Sequence, residues 1–448
     1  MNRSAAQLRR DALQIWQAGV DAVDSERLVR QALRIDGSTL IIGQQRLPLD
    51  AIRRIAVVGT GKAGAGMAAA VEEVLGPQLM EEKQLTGWVN VPADCCRPLK
   101  RIRLHAARPP GVNEPTPAGA AGAEQILRLV GSLGPDDLCL CLLSGGGSAL
   151  LPAPADGVTL EDKLSLTRYL SAAGANIQQL NTVRKQLSRI KGGGLLRACR
   201  VGRLATLIIS DVLGDPLDVI ASGPTVEDTS TPQDALRVLE GFAATDAGVP
   251  PSVFEYLKRK QRSPQPRPTC RATNLIIGNN ATAVAAAAAQ AERLGYSPAM
   301  LSADKPEGPA EPLGRHLAEM ALKMRDGTGP NCLVSGGEPV VTLVEPSRRG
   351  LGGRNQQLIL AALMQLAEHG AAGIALLSGG TDGEDGPTDA AGAVLDAEVL
   401  AAARRQQLDP ADYLARNDAY HFFEPLGALL KTGPTHTNVC DIRVVVVG

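Results

Sequence analysis

Six short aliphatic runs, each ending in a loop of small or polar residues, restrict most strongly how this chain can fold. Continuous apolar runs of this length are typical of strands buried on both faces of a parallel sheet. Segments with the length and composition of helices follow several of them, for example 281–294 and 355–369. This alternation predicts an α/β fold with two domains, whose largely parallel, doubly wound, Rossmann-like sheets flank a cleft. The runs are 55–58 before GTGKAG, 138–143 before SGGGS, 205–209 before SDVLGD, 275–277 before GNNAT, 332–334 before SGGEP and 374–377 before SGGTDG.

A proline-rich and basic segment at 249–273 predicts the boundary between the two domains. As a linker, it separates an N-terminal α/β domain, 1–248, from a C-terminal α/β domain, 274–448. Three of the six loops fall in each domain. The final strand, 443–447, must pair with other strands, and its return to the N-terminal domain stays open.

Composition excludes several classes of protein. The 46 Lys and Arg residues nearly balance the 47 Asp and Glu residues, and aromatic residues make up only 2% of the chain. Nucleic-acid binders usually show a basic excess or stacking aromatic residues, so we expect no nucleic-acid partner. No apolar run approaches the length of a membrane span, and the N-terminus lacks a signal-peptide pattern. The eight cysteines lack metal-ligand spacing, and we expect a cytoplasmic enzyme with no membrane partner.

The loop Gly59–Gly64 fits the dinucleotide pattern G-x-G-x-x-G after a strand and before a helix. The acidic residue that grips the ribose is missing, because the next run ends in Asn90-Val91-Pro92. The loop is not a Walker A motif either, since Ala63 stands where Ser or Thr would hold Mg²⁺. It is better explained as an anion site, in which Lys62 assists the backbone amides.

The loop SGGGS at 144–148 predicts a second anion site, because three glycines let backbone amides converge on a phosphate. Cations and a second triple glycine follow at 181–194 and suit a polyphosphate. For Arg184 and Lys185, solvated helix charges followed by a glycine cap stay an alternative. The predicted phosphate or nucleotide contacts are Gly61, Ser144, Gly145, Gly146, Gly147, Ser148 and Lys191, and the predicted substrate contacts are Asn181, Arg184 and Asn355.

Carboxylates in two of the loops are candidates for holding Mg²⁺, which takes one or two carboxylates together with phosphate oxygens. Asp211 and Asp382 are the residues that we assign to the metal or to orienting an attacking hydroxyl. Ordinary turns are the alternative for each single aspartate. Arg354 stands at a predicted helix start behind glycines, where it can bind a carboxylate or phosphate with two hydrogen bonds.

Taken in order, these motifs resemble the glycerate 2-kinases of the MOFRL type, also called class II glycerate kinases. The resemblance covers almost the whole chain. It rests on VVGTGKAGAGM at 57–67, LLSGGGSALLPAP at 142–154, NTVRKQLSRIKGGGL at 181–195, ISDVLGDPLDVIASGPT at 209–225, SGGEP at 335–339, GGRNQ at 352–356, LLSGGTDGEDGPTDAAG at 376–392 and TGPTHTNVCDIRVVVV at 432–447.

The resemblance implies two α/β domains around a deep cleft. It also implies transfer of the γ-phosphoryl group of ATP to the 2-hydroxyl of D-glycerate. The family's two principal catalytic cations fall on Lys62 and Arg354, whereas the roles of Asp211 and Asp382 are our own inference. Positioning and positive charge are what phosphoryl transfer asks of a protein. MgATP and D-glycerate are the expected ligands, and a homodimer is compatible with such a chain.

Two other functions stay open. An NAD(P)-dependent hydroxypyruvate reductase is the main alternative, because Gly59–Gly64 lends it some support and related sequences have carried that name. The missing ribose carboxylate and the absence of an obvious catalytic histidine argue against it. A non-catalytic binding protein of the same fold is the third hypothesis.

Overall fold

The computed structural model describes residues 3–245, 247–263 and 267–448. The chain forms two compact units. The central unit consists of Ser25–Ser210 and Asp215–Ile277. The terminal unit consists of the N-terminal segment up to Asp24, with helix α1 (Ala5–Ala22), together with Asp211–Gly214 and Gly278–Gly448.

The central unit contains a six-stranded sheet and a small antiparallel meander. The meander strands are β1 (Leu33–Asp36), β2 (Thr39–Ile42) and β3 (Gln45–Pro48). The sheet strands are β4 (Ile55–Thr60), β5 (Thr86–Pro92), β6 (Ile102–Arg108), β7 (Leu138–Leu143), β8 (Arg203–Ile209) and β9 (Arg271–Gly278). Their order is β6-β5-β4-β7-β8-β9, and each neighbouring pair from β6 to β8 is parallel. Strands β4 and β7 are buried along their whole length, which confirms the parallel Rossmann-like sheet predicted from their apolar runs.

Nine helices described in the central unit connect and cover these strands. Four of them, at 160–172, 177–186, 232–241 and 251–261, share one apolar core that includes Leu166, Val183, Leu236 and Val253. Capping boxes begin three of those four helices, at Thr159, Asn176 and Thr231. The helices are α2 (Ser25–Ala32), α3 (Gly64–Glu82), α4 (Pro117–Gly131), α5 (Gly147–Leu150), α6 (Leu160–Ala172), α7 (Ile177–Gln186), α8 (Gly194–Ala198), α9 (Pro232–Gly241) and α10 (Pro251–Gln261).

The terminal unit contains a mixed sheet. Its strands are β10 (Pro298–Ser302), β11 (Cys332–Gly337), β12 (Ile374–Gly380), β13 (Gly392–Asp396), β14 (Leu429–Leu430) and β15 (Asp441–Val447). Their order is β10-β11-β15-β12-β13-β14, and only β10 and β11 form a parallel pair. The expected largely parallel character is therefore wrong for this sheet. The reason is that β15 inserts antiparallel between β11 and β12, which themselves run in the same direction.

In the terminal unit, α1 packs closely against the helix at 280–293. Gly19 allows this approach, because a Cβ there would lie only 2.9 Å from the Ala283 carbonyl oxygen. The indole nitrogen of Trp16 also donates to the Gly379 carbonyl oxygen at 3.1 Å, which fixes α1 to β12. The other helices are α11 (Asn280–Arg293), α12 (Ala310–Asp326), α13 (Arg354–His369), α14 (Ala397–Arg405), α15 (Pro410–Ala415) and α16 (Ala419–Phe423).

The compact units differ from the sequence-based division at three places. The first helix belongs to the terminal unit. Within the predicted linker, 249–273, residues 251–261 form α10, whose Val253 and Leu257 are fully buried, while 264–266 lie outside the described residues. The last strand stays in the terminal unit. The limits 1–248 and 274–448 remain a prediction about domains.

In the described part of the chain, no helix is both long and apolar enough to span a membrane.

Candidate active site

Two glycine loops of the central unit are joined at the carboxyl ends of β4 and β7. The amide of Ser144 donates to the Thr60 carbonyl oxygen at 3.1 Å, and the amide of Lys62 donates to the Gly145 carbonyl oxygen at 2.9 Å. The Ser144 hydroxyl accepts the amide of Ala63 at 3.0 Å. The structure thus brings Lys62 and SGGGS together, although 81 residues separate Ala63 from Ser144.

Two positions in these loops require glycine. Gly61 has a φ of +131°, and a Cβ there would lie 2.1 Å from the Ser144 hydroxyl oxygen. Gly146 has a φ of +74°, and a Cβ there would face the guanidinium of Arg108 at 3.3 Å. Arg108 is 5% exposed and donates to the side chain of Asn113 at 2.8 Å. Sequence reasoning missed Arg108, because its proximity to SGGGS is visible only in the fold.

Lys191 contacts Ser148, the last residue of the SGGGS loop. Its ammonium donates to the carbonyl and hydroxyl oxygens of Ser148 at 2.8 and 2.7 Å. The Ser148 hydroxyl also lies 2.9 Å from that of Ser222. Ala221 and Ser222 both have positive φ angles, +49° and +63°, which marks a strained turn beside the loop. Lys191 and Ser148 therefore belong to one connected group, and their contact with a phosphate stays a prediction.

We expected two residues of α7, Asn181 and Arg184, to contact the substrate, and only Arg184 lines a cavity with Lys191. Burial lowers the pKa of the Arg184 and Lys191 side chains. Asn181 is partly buried on the same helix and does not line that cavity. A substrate contact by Asn181 stays a prediction.

In the terminal unit, Arg354 is the first residue of α13 and is held by two carboxylates. Its Nε and Nη2 atoms donate to Asp441 at 2.7 and 3.0 Å, and its Nη1 atom lies 3.0 Å from Glu338. The Asp441 side chain is fully buried, whereas a third of the Arg354 side chain is exposed. This arrangement fixes the guanidinium and leaves part of it accessible to a ligand.

The topology of the terminal sheet explains this arrangement. Asp441 begins β15, and it pairs in register with Gly337 at the end of β11 and Gly380 at the end of β12. Glu338 follows β11 directly. Burial and the neighbouring charge of Asp441 raise the pKa of Glu338, while Arg354 opposes that rise. No sequence pattern indicated that Asp441 or Glu338 would pair with Arg354.

The start of α13 is capped by Asp385. Its carboxylate accepts the amides of Asn355 and Gln356 at 3.0 and 2.9 Å, as the partial positive charge of a helix N-terminus favours. Burial nevertheless raises the pKa of Asp385 to about 7. The side chain of Asn355 is 1% exposed and bonded to Asp385 and to Ser378, at 3.2 and 2.5 Å. The side chain of Asn355 therefore supports the start of α13, and a substrate contact by Asn355 stays a prediction.

Both metal candidates fall in the terminal unit. The carbonyl oxygen of Asp211 lies 3.0 Å from the Cys440 thiol, and the Asp382 carboxylate accepts the amide of Glu384 at 3.2 Å. The described residues contain no group of three or more His, Cys, Asp or Glu side chains arranged to hold a metal ion. Mg²⁺ does not require one, because waters and substrate phosphates usually complete its shell. Carboxylates are the oxygen donors that this ion prefers, so Asp211 and Asp382 fit it.

Comparison with known proteins defines the family. Residues 11–258 match a domain of unknown function, DUF4147, and residues 331–441 match the MOFRL family. A protein of Thermotoga maritima named D-glycerate 2-kinase is 36% identical, with 98% of each chain covered. The crystal structure of glycerate kinase from Thermotoga maritima superposes with a TM-score of 0.83 at 34% identity, over 99% of this chain and all of that one.

A further relative carries another name. A protein of Agrobacterium vitis named putative hydroxypyruvate reductase is 40% identical, over 88% of this chain and 87% of that protein. The matches place this chain in a class of two-unit α/β proteins that includes kinases. The chain belongs to the MOFRL-type glycerate kinase family, as its motifs indicated.

Proposed function

We propose that this chain transfers the γ-phosphoryl group of ATP to the 2-hydroxyl of D-glycerate, forming 2-phosphoglycerate and ADP. The joined loops around Lys62 carry the proposal: they combine glycine-rich backbone, two serine hydroxyls and two lysines, which suits a polyphosphate. The choice of D-glycerate rests on the name of the Thermotoga maritima relative.

In this proposal the central unit binds phosphate. Gly61, Ser144, Gly145, Gly146, Gly147, Ser148 and Lys191 supply the backbone amides, hydroxyls and ammonium around it. Lys62 places a positive charge on the transferred phosphoryl group, where charge builds up on the equatorial oxygens. Removing one such donor typically lowers kcat by roughly 10²- to 10³-fold.

Arg354 supplies a second positive charge for phosphoryl transfer. Asp441 and Glu338 orient its guanidinium before the substrate arrives, so little reorganisation is needed during the reaction. Asp211 and Asp382 hold Mg²⁺, which when bound neutralises charge on the β- and γ-phosphates. Alternatively one of the two aspartates orients the 2-hydroxyl, whose proton must leave as the new O–P bond forms.

Hydroxypyruvate reduction is the second candidate, since one relative carries that name. The structure argues against a dinucleotide at Gly59–Gly64. Asn90 stands at the end of β5, where the ribose-binding acid would be, and it is fully buried. Its amide donates to the carbonyl oxygens of Gly119 and Leu150 at 3.2 and 2.8 Å, so it does not face a ribose.

A coupled assay separates these functions. The enzyme is mixed with D-glycerate, ATP and Mg²⁺, and the product is measured through enolase with no phosphoglycerate mutase present. A signal supports the proposal together with its regiochemistry. ADP formation with an enolase signal only after mutase is added would show phosphorylation at the 3-position. NADH oxidation with hydroxypyruvate, without ADP formation, would favour the reductase.

The chain has the features of an enzyme that acts on small molecules in the cytoplasm, without nucleic-acid or membrane partners. A homodimer is our proposal for its assembly. Fractionation of cells and light scattering of the purified protein test the two statements.

A further inference from the structure

A cavity of about 410 Å³ in the central unit has cations from three separate elements on its wall. Lys163 comes from α6, Arg184 from α7 and Lys191 from the turn before α8. Sequence reasoning had singled out Arg184 and Lys191 but not Lys163. The cluster is therefore a product of the fold.

The carboxylate on this wall, Glu114, is paired with Arg168 and not with any of these three cations. Within the described ranges, none of the three makes an ion pair, whereas Arg168 on the same wall is paired with Glu114 at 2.7 Å. Burial, with the charges of Arg184 and Lys260, lowers the pKa of Lys163 to about 7. Burial, with the charges of Lys163 and Arg184, likewise lowers the pKa of Lys191. Keeping like charges close together in a partly buried cavity is unfavourable, and a bound anion relieves that cost.

The rest of the wall is mixed, because polar side chains such as Asn113 and Thr167 alternate with apolar ones. Pro115, Pro152, Leu160 and Leu164 line it, so the cavity combines a basic end with a hydrophobic surface. Its volume falls in the range of roughly 300–1,000 Å³ that is usual for small-molecule sites. A glycerate ion has one negative charge and few atoms, so neither the charge nor the size of the cavity suits it.

The cavity also adjoins the phosphate loop. Lys191 lines the cavity and at the same time donates two hydrogen bonds to Ser148, the last residue of SGGGS. A phosphate chain held at Lys163 and Arg184 would therefore continue toward that loop.

We propose that this cavity binds the nucleoside triphosphate, with the polyphosphate against Lys163, Arg184 and Lys191 and the base against the apolar side chains of the wall. The proposal rests on the proposed kinase function, because it names the place of the nucleotide in that reaction. It adds Lys163 to the binding residues and makes Arg184 a contact of the nucleotide.

The test is calorimetric binding of the magnesium complex of a non-hydrolysable ATP analogue to the full chain. Lys163→Met and Arg184→Met each remove one charge-assisted contact, so we expect roughly 10- to 100-fold weaker binding. Arg128→Met is the matched control, because Arg128 is exposed, pairs with Glu124 and does not line the cavity, and we expect less than a threefold change. Wild-type affinity in both Lys163→Met and Arg184→Met would overturn the proposal.

Two further measurements keep the result interpretable. Urea unfolding of Lys163→Met should show unchanged or higher stability, because the substitution removes repulsion among like charges; if that variant unfolds early, Lys163→Gln replaces it. Inorganic tripolyphosphate should bind at least tenfold more weakly than the analogue; equal affinity would overturn the placement of the base.

Kinetics separate this inference from the proposed function. In the enolase assay, both variants should raise KM for ATP and leave KM for D-glycerate unchanged. Product formation with an unchanged KM for ATP would refute the cavity and leave the kinase intact. Weakened analogue binding in a chain that never phosphorylates D-glycerate would refute the kinase and retain the nucleotide site.

Discussion

Replacing Arg354 by glutamine separates its support of the fold from its part in the reaction. The substitution removes three charge-assisted contacts and leaves Asp441 buried without its cation. Breaking a buried ion pair typically costs about 3–5 kcal/mol. Because a third of the Arg354 side chain is exposed, solvent screens the pair, and we expect about 2–3 kcal/mol lower stability.

The expected effect on activity is larger. An arginine that stabilises the transferred phosphoryl group contributes roughly 10³- to 10⁵-fold to kcat. Arg354→Gln should therefore lower kcat by at least about 10³-fold, measured by the enolase assay at a temperature where urea titration shows the variant folded. Arg348→Gln is the control, because Arg348 is exposed in the preceding segment, and it should change neither quantity.

The double variant Arg354→Gln with Asp441→Asn decides between the two roles. Asparagine removes the buried uncompensated charge, so the double variant should regain part of the lost stability. Its activity should stay as low as that of Arg354→Gln, because the positive charge is still missing. If activity returns together with stability, Arg354 acts only through the fold and the reasoning is wrong.

Three other substitutions test the central unit. Lys62→Met should lower kcat by about 10²- to 10³-fold with unchanged urea unfolding, and an equal loss in stability would contradict its catalytic assignment. Gly61→Ala should abolish activity and destabilise the fold, because its Cβ would lie 2.1 Å from a hydroxyl oxygen. Gly174→Ala, where φ is +86° and the space is open, should cost only about 1–2 kcal/mol in urea titrations. Asp137 has a pKa lowered to about 2 because two arginines and a backbone amide outweigh its burial, so its carboxylate contributes about 2 kcal/mol above pH 4. That contribution is lost as pH falls toward 2, and in Asp137→Asn urea titrations should lack this pH dependence.

Local pattern was enough to predict the parts of the site that lie next to a strand end. The apolar runs at β4 and β7 are buried throughout, and their glycine loops lie together because parallel strands end at the same edge. Arg354 was likewise predicted at a helix start, since glycines precede it and a helical pattern follows.

Contacts between segments that are distant in the sequence could not be predicted from local pattern. Asp441 lies 87 residues after Arg354, and the apolar run at 444–447 in β15 carries no information about the direction of that strand in a sheet. The antiparallel insertion of β15 therefore had no signal, and neither did the pairing of Asp441 with the guanidinium. Arg108 and Lys163 were missed for the same reason, because each reaches its neighbours only through packing of separate elements.

The glycine loops also show that one sequence signal serves two physical purposes in this chain. In the central unit, Gly61 and Gly146 have positive φ angles, so glycine there shapes the backbone of the loops that we propose bind phosphate. In the terminal unit, Gly337 and Gly380 lack positive φ angles, and what they provide is space.

That space is taken up by charged side chains. A Cβ on Gly337 would lie 1.9 Å from the Glu307 carboxylate, and one on Gly380 would lie 3.2 Å from that of Asp382. The carboxylates that hold Arg354 are those of Asp441, at the start of β15, and Glu338, which follows Gly337. Glu307 instead pairs with Arg443 of β15 at 2.7 Å. The glycines of the terminal unit therefore leave room for ion pairs at this end of the sheet. In the proposed reaction, the SGGGS loop of the central unit has a different task, because it presents backbone amides and serine hydroxyls to a phosphate.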